Sequence, residues 1–237
     1  MYKMKKSYLW FQSLGRQAAD RSVGSHFSPL ESESCPCFVQ GGFFYKIKIL
    51  AMTTILYAHP YDKSFNHAIL EQVTAKLVSS GREFKVIDLY ADGFNPAMEA
   101  ASLRLYGRGD TADPLAAGYL ETMLSTDEFI MIFPIWWANI PAIVGGFFDK
   151  VMLSGKAYQA DEHGELVPAQ IHVKRTVLLT TSQGPTERFK PFFTDYFTPL
   201  VLHTLGMENV EWYNCPQAAH GPVENRENFL EKVHERI

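Results

Sequence analysis

The sequence predicts an α/β protein built on a parallel sheet. Short apolar segments rich in β-branched residues alternate along the chain with longer segments of helical character. The composition is that of a globular protein, with 46% hydrophobic residues, 20% charged residues and a mean hydropathy of −0.11. At 237 residues the chain is long enough for one sizeable α/β domain.

Five segments are predicted as strands, and the first and third are almost continuously apolar or β-branched, as in parallel strands buried on both faces. In chain order the strands are Thr53–Ala58, Phe84–Leu89, Phe129–Phe133, Thr176–Thr181 and Val210–Tyr213. Strands that alternate with helices pair in parallel through right-handed crossovers. On this count, a six-stranded dinucleotide-binding fold and a five-stranded flavodoxin-like fold both remain open.

Four segments are predicted as helices. The first has an apolar face and is followed by Gly81 as a stop signal, and the second begins after Pro141. In chain order the helices are Ser64–Ser80, Ala142–Leu153, Phe192–Leu205 and Val223–Arg236.

Residues 1–51 differ from the rest of the chain. They carry seven Lys/Arg and three Asp/Glu, whereas residues 52–237 carry fifteen and twenty-three. They show neither helical nor strand periodicity, and the short apolar patch Tyr8–Phe11 is too small for a secretory signal. We predict an N-terminal extension without its own fold over 1–51 and a single domain over 52–237. Met52, directly before the first strand, is a candidate start of that domain.

Charge and cysteine content exclude several functional classes. The net charge of −4 argues against broad phosphate neutralisation, so no nucleic-acid partner is expected. Three cysteines do not form a disulfide framework, which favours a reducing compartment and a cytoplasmic protein. Cys35 and Cys37 offer two thiolates where structural zinc needs four ligands, so we predict no metal site.

The carboxyl ends of the predicted strands are the expected ligand site. After the first strand no glycine intervenes before the helix, which excludes a dinucleotide fingerprint or a Walker loop. His59 and the hydroxyl of Ser64 could instead hold an anion, together with the backbone N–H groups of Phe65 and Asn66 at the start of the helix. The alternative is that Asp62 or Ser64 merely caps that helix.

The third and fourth strands end in segments that suit a flat ring. The third continues into Pro134-Ile135-Trp136-Trp137, and adjacent tryptophans cannot both face the core because side chains alternate. One of them is expected to border a cleft and to stack on a planar ring. The fourth strand ends in short polar side chains that suit a polar ring edge, namely Thr180, Thr181, Ser182 and Gln183. The three segments together predict a phosphate-bearing ligand with a heteroaromatic ring.

These motifs resemble a known family. HPYDKSFN at His59–Asn66, FPIWWANIP at Phe133–Pro141 and TTSQG at Thr180–Gly184 are similar in order and spacing to the flavodoxin-like NAD(P)H:quinone oxidoreductases. That family includes the ancillary proteins of glutathione-regulated potassium efflux. The resemblance covers about residues 53–237 and implies a five-stranded sheet of order 2-1-3-4-5 between two helical layers. Ser182-Gln183 departs from the family's commoner Thr-Thr-Gly-Gly form.

The resemblance also implies a cofactor, a reaction and an assembly. FMN, or alternatively FAD, would pass a hydride from NAD(P)H to a quinone-like acceptor in a homodimer. His59, Ser64, Phe65 and Asn66 would hold its phosphate side. The ring would be lined by Pro134, Ile135, Trp136, Trp137 and Ala138, and its polar edge by Thr180, Thr181, Ser182 and Gln183. Gln183 would also stabilise charge on the reduced ring, and Tyr158 would reach the substrate in the second subunit.

The same resemblance leaves other functions open. An azo- or nitro-reductase would use the same chemistry on another acceptor. A regulatory subunit of a potassium-efflux transporter would use the fold as an interaction surface, with the protein peripheral at the inner face of the membrane. A one-electron flavodoxin is disfavoured, because its phosphate loop is usually rich in Ser, Thr and Gly.

Two further motifs receive other interpretations. Gly107–Ala112 matches G-x-G-x-x-A literally, but it follows a helix-like stretch, so we do not interpret it as a dinucleotide loop. Asp161–Glu165 is better explained as a hairpin turn around Gly164 than as a metal cluster.

Overall fold

The computed structural model describes residues 51–237. The prediction that 1–51 form an extension without its own fold therefore falls, except for its last residue, outside the described residues. Near the start of the described residues, the backbone N–H of Met52 donates to Oδ2 of Asp127 at 3.0 Å. Within residues 51–237 no helix has both the length and the apolar character needed to cross a bilayer.

Five parallel strands form the central sheet. In chain order the strands are β1 (Thr53–Tyr57), β2 (Phe84–Asp88), β3 (Glu128–Pro134), β4 (Tyr158–Ala160), β5 (Leu166–Pro168), β6 (Arg175–Thr181) and β7 (Val210–Cys215). The sheet order is β2-β1-β3-β6-β7, while β4 and β5 form a separate antiparallel pair. With that pair set aside, the predicted flavodoxin-like order 2-1-3-4-5 is confirmed.

The helices are α1 (Phe65–Ser79), α2 (Ala100–Tyr106), α3 (Pro114–Leu124), α4 (Ala142–Val151), α5 (Thr186–Pro191) and α6 (Val223–Arg236). Three of these helices, α2, α3 and α5, were not assigned from the sequence. The prediction of one α-helix over 192–205 was wrong in detail, since Phe192–Leu202 is a π-helix and His203–Leu205 a 3₁₀ turn. Pro199 lies inside that π-helix and cannot donate a backbone hydrogen bond, which disfavours a regular α-helical ladder there.

Side-chain alternation along the strands divides the core into two layers. Ile55 and Tyr57 of β1 face α1 and α6, where Ile69, Val73 and Leu77 recur every four residues and are fully buried. On the other face, α3, α4 and the π-helix cover a cluster rich in aromatic side chains, which includes Phe129, Phe133, Phe147, Phe193 and Phe197. Each buried side chain of this size contributes about 1.5–3 kcal/mol relative to an exposed one.

The short β4–β5 hairpin confirms the interpretation of Asp161–Glu165 as a turn. Ala160 pairs with Leu166, and Gly164 has φ +82°, a left-handed conformation that glycine adopts without strain. The Asp161 side chain accepts hydrogen bonds from the backbone of His163 and Glu165 within the turn.

Strand register brings three loops to one edge of the sheet. Tyr57 of β1 lies opposite Ile132 of β3, and Pro134 of β3 lies opposite Thr181 of β6. Because β1, β3 and β6 are neighbours and parallel, the segments that follow them emerge side by side. The chain adds β2 on one side of β1 and β3 on the other, so these ends lie at a switch point of the sheet.

Candidate functional site

The start of α1 forms the first wall of the site. Ser64 is the N-cap, and its hydroxyl accepts a hydrogen bond from the His67 backbone N–H at 3.1 Å. The backbone N–H groups of Phe65 and Asn66 lie in the first turn, where no intrahelical partner exists. The Phe65 ring packs against Phe229 of α6, so its side chain supports the core while its backbone faces the loop edge.

Asn66 links the start of α1 to the end of β6. Its side chain is only 3% exposed, and Nδ2 donates to Oγ1 of Thr181 at 2.9 Å. Its Oδ1 is buried and has no hydrogen-bond partner within the described part of the chain. Because the two ends of an amide are nearly equal in size and the Thr181 hydroxyl can donate as well as accept, either end of Asn66 can face Thr181 while the other remains available. A buried amide atom without a partner costs about 1–3 kcal/mol, which a bound ligand would relieve.

His59 stands at the end of β1 in a partly buried position. Its Nδ1 lies 3.1 Å from the backbone nitrogen of Tyr61 and 3.2 Å from the Tyr61 carbonyl oxygen. When Nδ1 accepts from that N–H, the neutral ring carries its proton on Nε2, which is then a donor for a ligand. Burial lowers the pKa of His59, so the ring is neutral near pH 7 in the absence of an anion.

The segment after β3 forms a strained turn. Trp136 and Asn139 exchange two backbone hydrogen bonds, of 3.1 and 3.0 Å, around Trp137 and Ala138. Both central residues have positive φ, 52° and 59°. This is the conformation of a type I′ turn, where Asn-Gly is usual, and each non-glycine residue there costs roughly 1–2 kcal/mol. Backbone strain of this kind concentrates at ligand sites.

The turn presents its tryptophans differently. Trp137 is fully exposed, whereas Trp136 is 41% exposed and its ring centroid lies 6.3 Å from that of His59. Neither side chain is buried in the core, and that one of the two borders a ligand cleft stays a prediction. Pro134 and Ile135 are buried, and the Ile135 N–H donates to the Thr181 carbonyl oxygen at 2.7 Å, so they can meet a ligand only through their backbone.

The third wall follows β6, and its residues face different sides of the sheet. The Thr181 hydroxyl lies on the α1 side, where it contacts Asn66. The Thr180 hydroxyl lies on the opposite side, where it accepts from Nε1 of Trp212 at 2.9 Å and pairs with Oδ1 of Asn214 at 3.0 Å. Thr180 is fully buried, so its side chain is committed to this network rather than to the loop edge.

Asn214 on β7 organises the loop and was not found from the sequence. Its Nδ2 lies 2.9 Å from the Ser182 hydroxyl and 3.0 Å from that of Thr186, while Ser182 donates to the Gly184 carbonyl oxygen. Asparagine is uncommon inside strands, which is the one signal the sequence offered. The Ser182 side chain is therefore also held internally.

Gln183 occupies the exposed part of the same loop. Its Oε1 accepts from the Ala219 backbone N–H at 3.3 Å. The backbone N–H groups of Gln183 and Gly184 have no partner among residues 51–237, which leaves two donors at the edge of the cleft. Nearby Cys215 is fully buried, and burial raises the pKa of its thiol to about 11, so it is unreactive at neutral pH.

Tyr158 lies apart from these three walls. No hydrogen bond or ring contact in the described chain joins it to His59, the Trp136–Asn139 turn or the Thr181–Gly184 loop. Its hydroxyl contacts Tyr106 of α2 instead, at 3.3 Å. The sequence-predicted residues are therefore brought together at one edge of the sheet, with the exception of Tyr158.

A separate groove of about 690 Å³ runs between α4 and the π-helix. Its walls are mainly apolar and include Ile140, Pro141, Phe148, Phe192 and Val201. Tyr196 also lines it, and this side chain is 55% exposed. Ile140 and Pro141 directly follow the Trp136–Asn139 turn, so the groove is adjacent to this turn of the candidate site.

Comparison with known proteins agrees with this geometry. The family described as having a flavodoxin-like fold matches residues 51–237. A Haemophilus influenzae protein named as an uncharacterised NAD(P)H oxidoreductase is 28% identical over 164 residues, which cover 67% of this chain and 80% of that protein. The NAD(P)H dehydrogenase [quinone] 1 of Rattus norvegicus is 29% identical over 147 residues, 55% of this chain and 53% of the rat enzyme.

The chain thus spans about half the length of that rat enzyme. Among solved structures, the NAD(P)H:quinone oxidoreductase from Methanothermobacter marburgensis has a TM-score of 0.68 at 23% identity, over 78% of this chain and 96% of that one, which shows a shared fold. The family match covers the whole described sheet with its three loops. The chain therefore belongs to the flavodoxin-like NAD(P)H:quinone oxidoreductase family, a family of oxidoreductase enzymes.

Proposed function

We propose that this protein is a flavin-dependent NAD(P)H:quinone oxidoreductase that binds FMN at the carboxyl ends of β1, β3 and β6. The observation that carries the proposal is the Oδ1 atom of Asn66, which is buried at the edge where three strands end and has no hydrogen-bond partner among residues 51–237. A ligand of phosphate, ribityl chain and flat ring would supply what each wall lacks. The relatives' names support NAD(P)H as the electron donor.

The phosphate end of the ligand fits the start of α1. The N–H groups of Phe65 and Asn66 and the helix dipole favour an anion by up to ~2 kcal/mol in a partly buried site. Nε2 of His59 would add a charge-assisted hydrogen bond. A bound phosphate would also favour protonation of His59, opposing the effect of burial on its pKa.

The ring end fits the other two walls. Trp137 exposes its whole side chain and would cover the flat ring, excluding water from that side. The free N–H groups of Gln183 and Gly184 would donate to the polar edge of the ring, where negative charge grows on reduction. Within this set, Thr180 acts only through the backbone, because its hydroxyl is held on the other face.

When bound, the flavin supplies two-electron hydride transfer between NAD(P)H and a quinone-like acceptor. The protein's own contribution is to hold the phosphate, orient the ring, keep its covered face dry and stabilise the charge at its edge. No side chain of the described site needs to form a bond to the substrate. Because the protein only binds and orients the flavin, NAD(P)H and the acceptor can occupy the same cleft in turn.

A homodimer completes the proposal. No hydrogen bond or ring contact within residues 51–237 joins Tyr158 to the three walls, so we place its action on substrate in a second copy. The apolar groove beside Pro141, with exposed Tyr196 and Leu200, offers a surface that such a copy would cover. Light scattering of the purified chain is expected to give twice the monomer mass, and a monomer active in turnover would contradict this part of the proposal.

The central experiment uses the purified full chain. We expect a yellow protein that releases FMN on heating, identified by mass, and that oxidises NAD(P)H only with an acceptor, with parallel double-reciprocal plots. A colourless protein that gains no activity from added FMN or FAD would refute the proposal. Quinones, azo dyes and nitroaromatics are compared by kcat/KM, and a clear preference for azo dyes would overturn the acceptor class while leaving the flavin chemistry intact.

A further inference from the structure

The segment Tyr106–Ala112, whose glycines resemble a dinucleotide loop, packs against the turn that leads to Tyr158. Gly109 has φ +70°, and a Cβ at this position would lie 2.9 Å from the Ser154 carbonyl oxygen. Only glycine allows that close approach. In the turn itself the Gly155 N–H donates to the Tyr158 carbonyl oxygen at 2.7 Å. The glycines of this motif therefore allow close packing against the turn that precedes Tyr158, and they do not form a phosphate loop.

Two hydrogen bonds give the hydroxyl groups of Tyr106 and Tyr158 defined directions. The Tyr106 hydroxyl donates to the Met152 carbonyl oxygen at 2.8 Å. Since a carbonyl oxygen can only accept, the proton of Tyr106 points to Met152, and the Tyr158 hydroxyl donates to the Tyr106 oxygen at 3.3 Å. The two ring centroids lie 6.5 Å apart. Burial, reinforced by Tyr158, raises the pKa of Tyr106, which keeps this hydroxyl neutral.

We propose that Tyr106 is a positioning residue for Tyr158: it fixes the ring and hydroxyl of Tyr158 in the orientation in which they meet the acceptor bound in a second copy. The inference rests on the role proposed above for Tyr158 and adds the residue that holds it. Within residues 51–237, hydrogen bonds join Tyr106 to Met152 and Tyr158, and a ring contact joins it to Tyr158. We therefore expect its effect on turnover to pass through Tyr158.

The test is Tyr106→Phe, which removes the hydroxyl and keeps the ring. We expect the KM for the quinone to rise about three- to tenfold, the range set by the loss of one neutral hydrogen bond, with flavin content unchanged. In a Tyr158→Phe background the same substitution is expected to have no further effect on KM. Tyr119→Phe is the matched control, because Tyr119 is a buried tyrosine whose hydroxyl donates to Asp92 at 2.7 Å.

Each contrary result has a distinct meaning. A full effect of Tyr106→Phe in the Tyr158→Phe background would overturn the inference, and so would an equal rise in KM for Tyr119→Phe. If Tyr158→Phe leaves the kinetics of an active wild type unchanged, the inference fails while the proposed function stands.

A measurement without turnover separates the inference from the function. With 3-fluorotyrosine incorporated, the ¹⁹F resonance assigned to Tyr158 is expected to shift in Tyr106→Phe and not in Tyr119→Phe. Absence of that shift overturns the positioning role even if the wild type proves inactive.

Discussion

Replacing Asn66 by alanine separates the energetics of the empty fold from those of ligand binding. The substitution removes the 2.9 Å hydrogen bond to Thr181, a loss of about 0.5–1.5 kcal/mol. It also removes a buried oxygen without a partner, which relieves a penalty of about 1–3 kcal/mol. The two effects oppose each other, so the change in the free energy of unfolding of the flavin-free protein is expected to lie between a loss of about 0.5 kcal/mol and a gain of about 2.5 kcal/mol.

Flavin affinity is expected to respond differently to Asn66→Ala. If the amide turns so that the Thr181 hydroxyl donates to Oδ1 and Nδ2 donates to the charged phosphate, the loss of that bond costs about 1.5–3 kcal/mol, or a roughly ten- to hundredfold rise in Kd. Denaturant unfolding of the flavin-free protein measures the first quantity. Titration with FMN, followed by quenching of tryptophan fluorescence, measures the second.

Asn214→Ala is the comparison for stability. Both ends of the Asn214 amide are paired, with Ser182 and Thr186 on the nitrogen and Thr180 on the oxygen. Its loss is therefore expected to destabilise the flavin-free protein by about 2–3 kcal/mol, since several bonds are lost and no penalty is relieved. A large loss of stability in Asn66→Ala with unchanged FMN affinity would show that Asn66 is an ordinary structural residue and would refute the reasoning.

Three further predictions concern the walls of the site and the packing behind it. His59→Ala is expected to weaken FMN binding about ten- to hundredfold but to leave riboflavin binding nearly unchanged; an equal loss for riboflavin would rule out phosphate recognition by His59. Trp137→Ala is expected to weaken FMN binding by roughly 1–3 kcal/mol, and more than Trp136→Ala, because Trp137 has the larger exposed surface to cover; calorimetric titration of both variants ranks them. Burial alone would raise the pKa of Asp113, but the buried Lys150 ammonium and two backbone N–H groups lower it overall. The stability from this pair is therefore present above the unfolded-state pKa of about 3.9 and lost as pH falls through the lower folded value; thermal melts of the wild type and Asp113→Asn should converge below about pH 4 and stay apart at pH 7.

The strand order was predictable because the apolar pattern marks buried parallel strands directly. The segments 53–58 and 129–133 are apolar or β-branched throughout, and the structure places both in the centre of the sheet. Three helices were missed, one of them the six-residue helix Thr186–Pro191, and the other two were missed for different reasons. The helix Ala100–Tyr106 has only two turns and one buried residue, so its pattern is weak. The helix Pro114–Leu124 did carry a start signal, because Asp113 caps it and Pro114 occupies its first position.

The site was predictable in location and less so in detail. Strand ends in a parallel sheet meet at one edge, which is enough to place His59, Trp136 and Thr181 near one another. Which polar side chains face the cleft depends on partners distant in sequence. Asn66 meets Thr181 across 115 positions, and Thr180 is held by a β7 residue 34 positions away. Alternation does predict that Thr180 and Thr181 face opposite sides, but not which of the two lies on the side of α1.

Three local departures from low energy coincide at this edge of the sheet. Trp137 and Ala138 adopt left-handed backbone conformations, Asn66 buries an amide oxygen that has no partner among residues 51–237, and His59 is partly desolvated. Single departures also occur elsewhere, such as the buried Thr176 hydroxyl and the positive φ of Asn209, but at this edge three lie close together. Several unfavourable local features in one place indicate a functional site, because a single bound ligand can compensate for all of them. An anion for the helix start, a polar edge for the free N–H groups and a flat face for the tryptophan are features of one ligand, and binding it would stabilise the folded state by mass action.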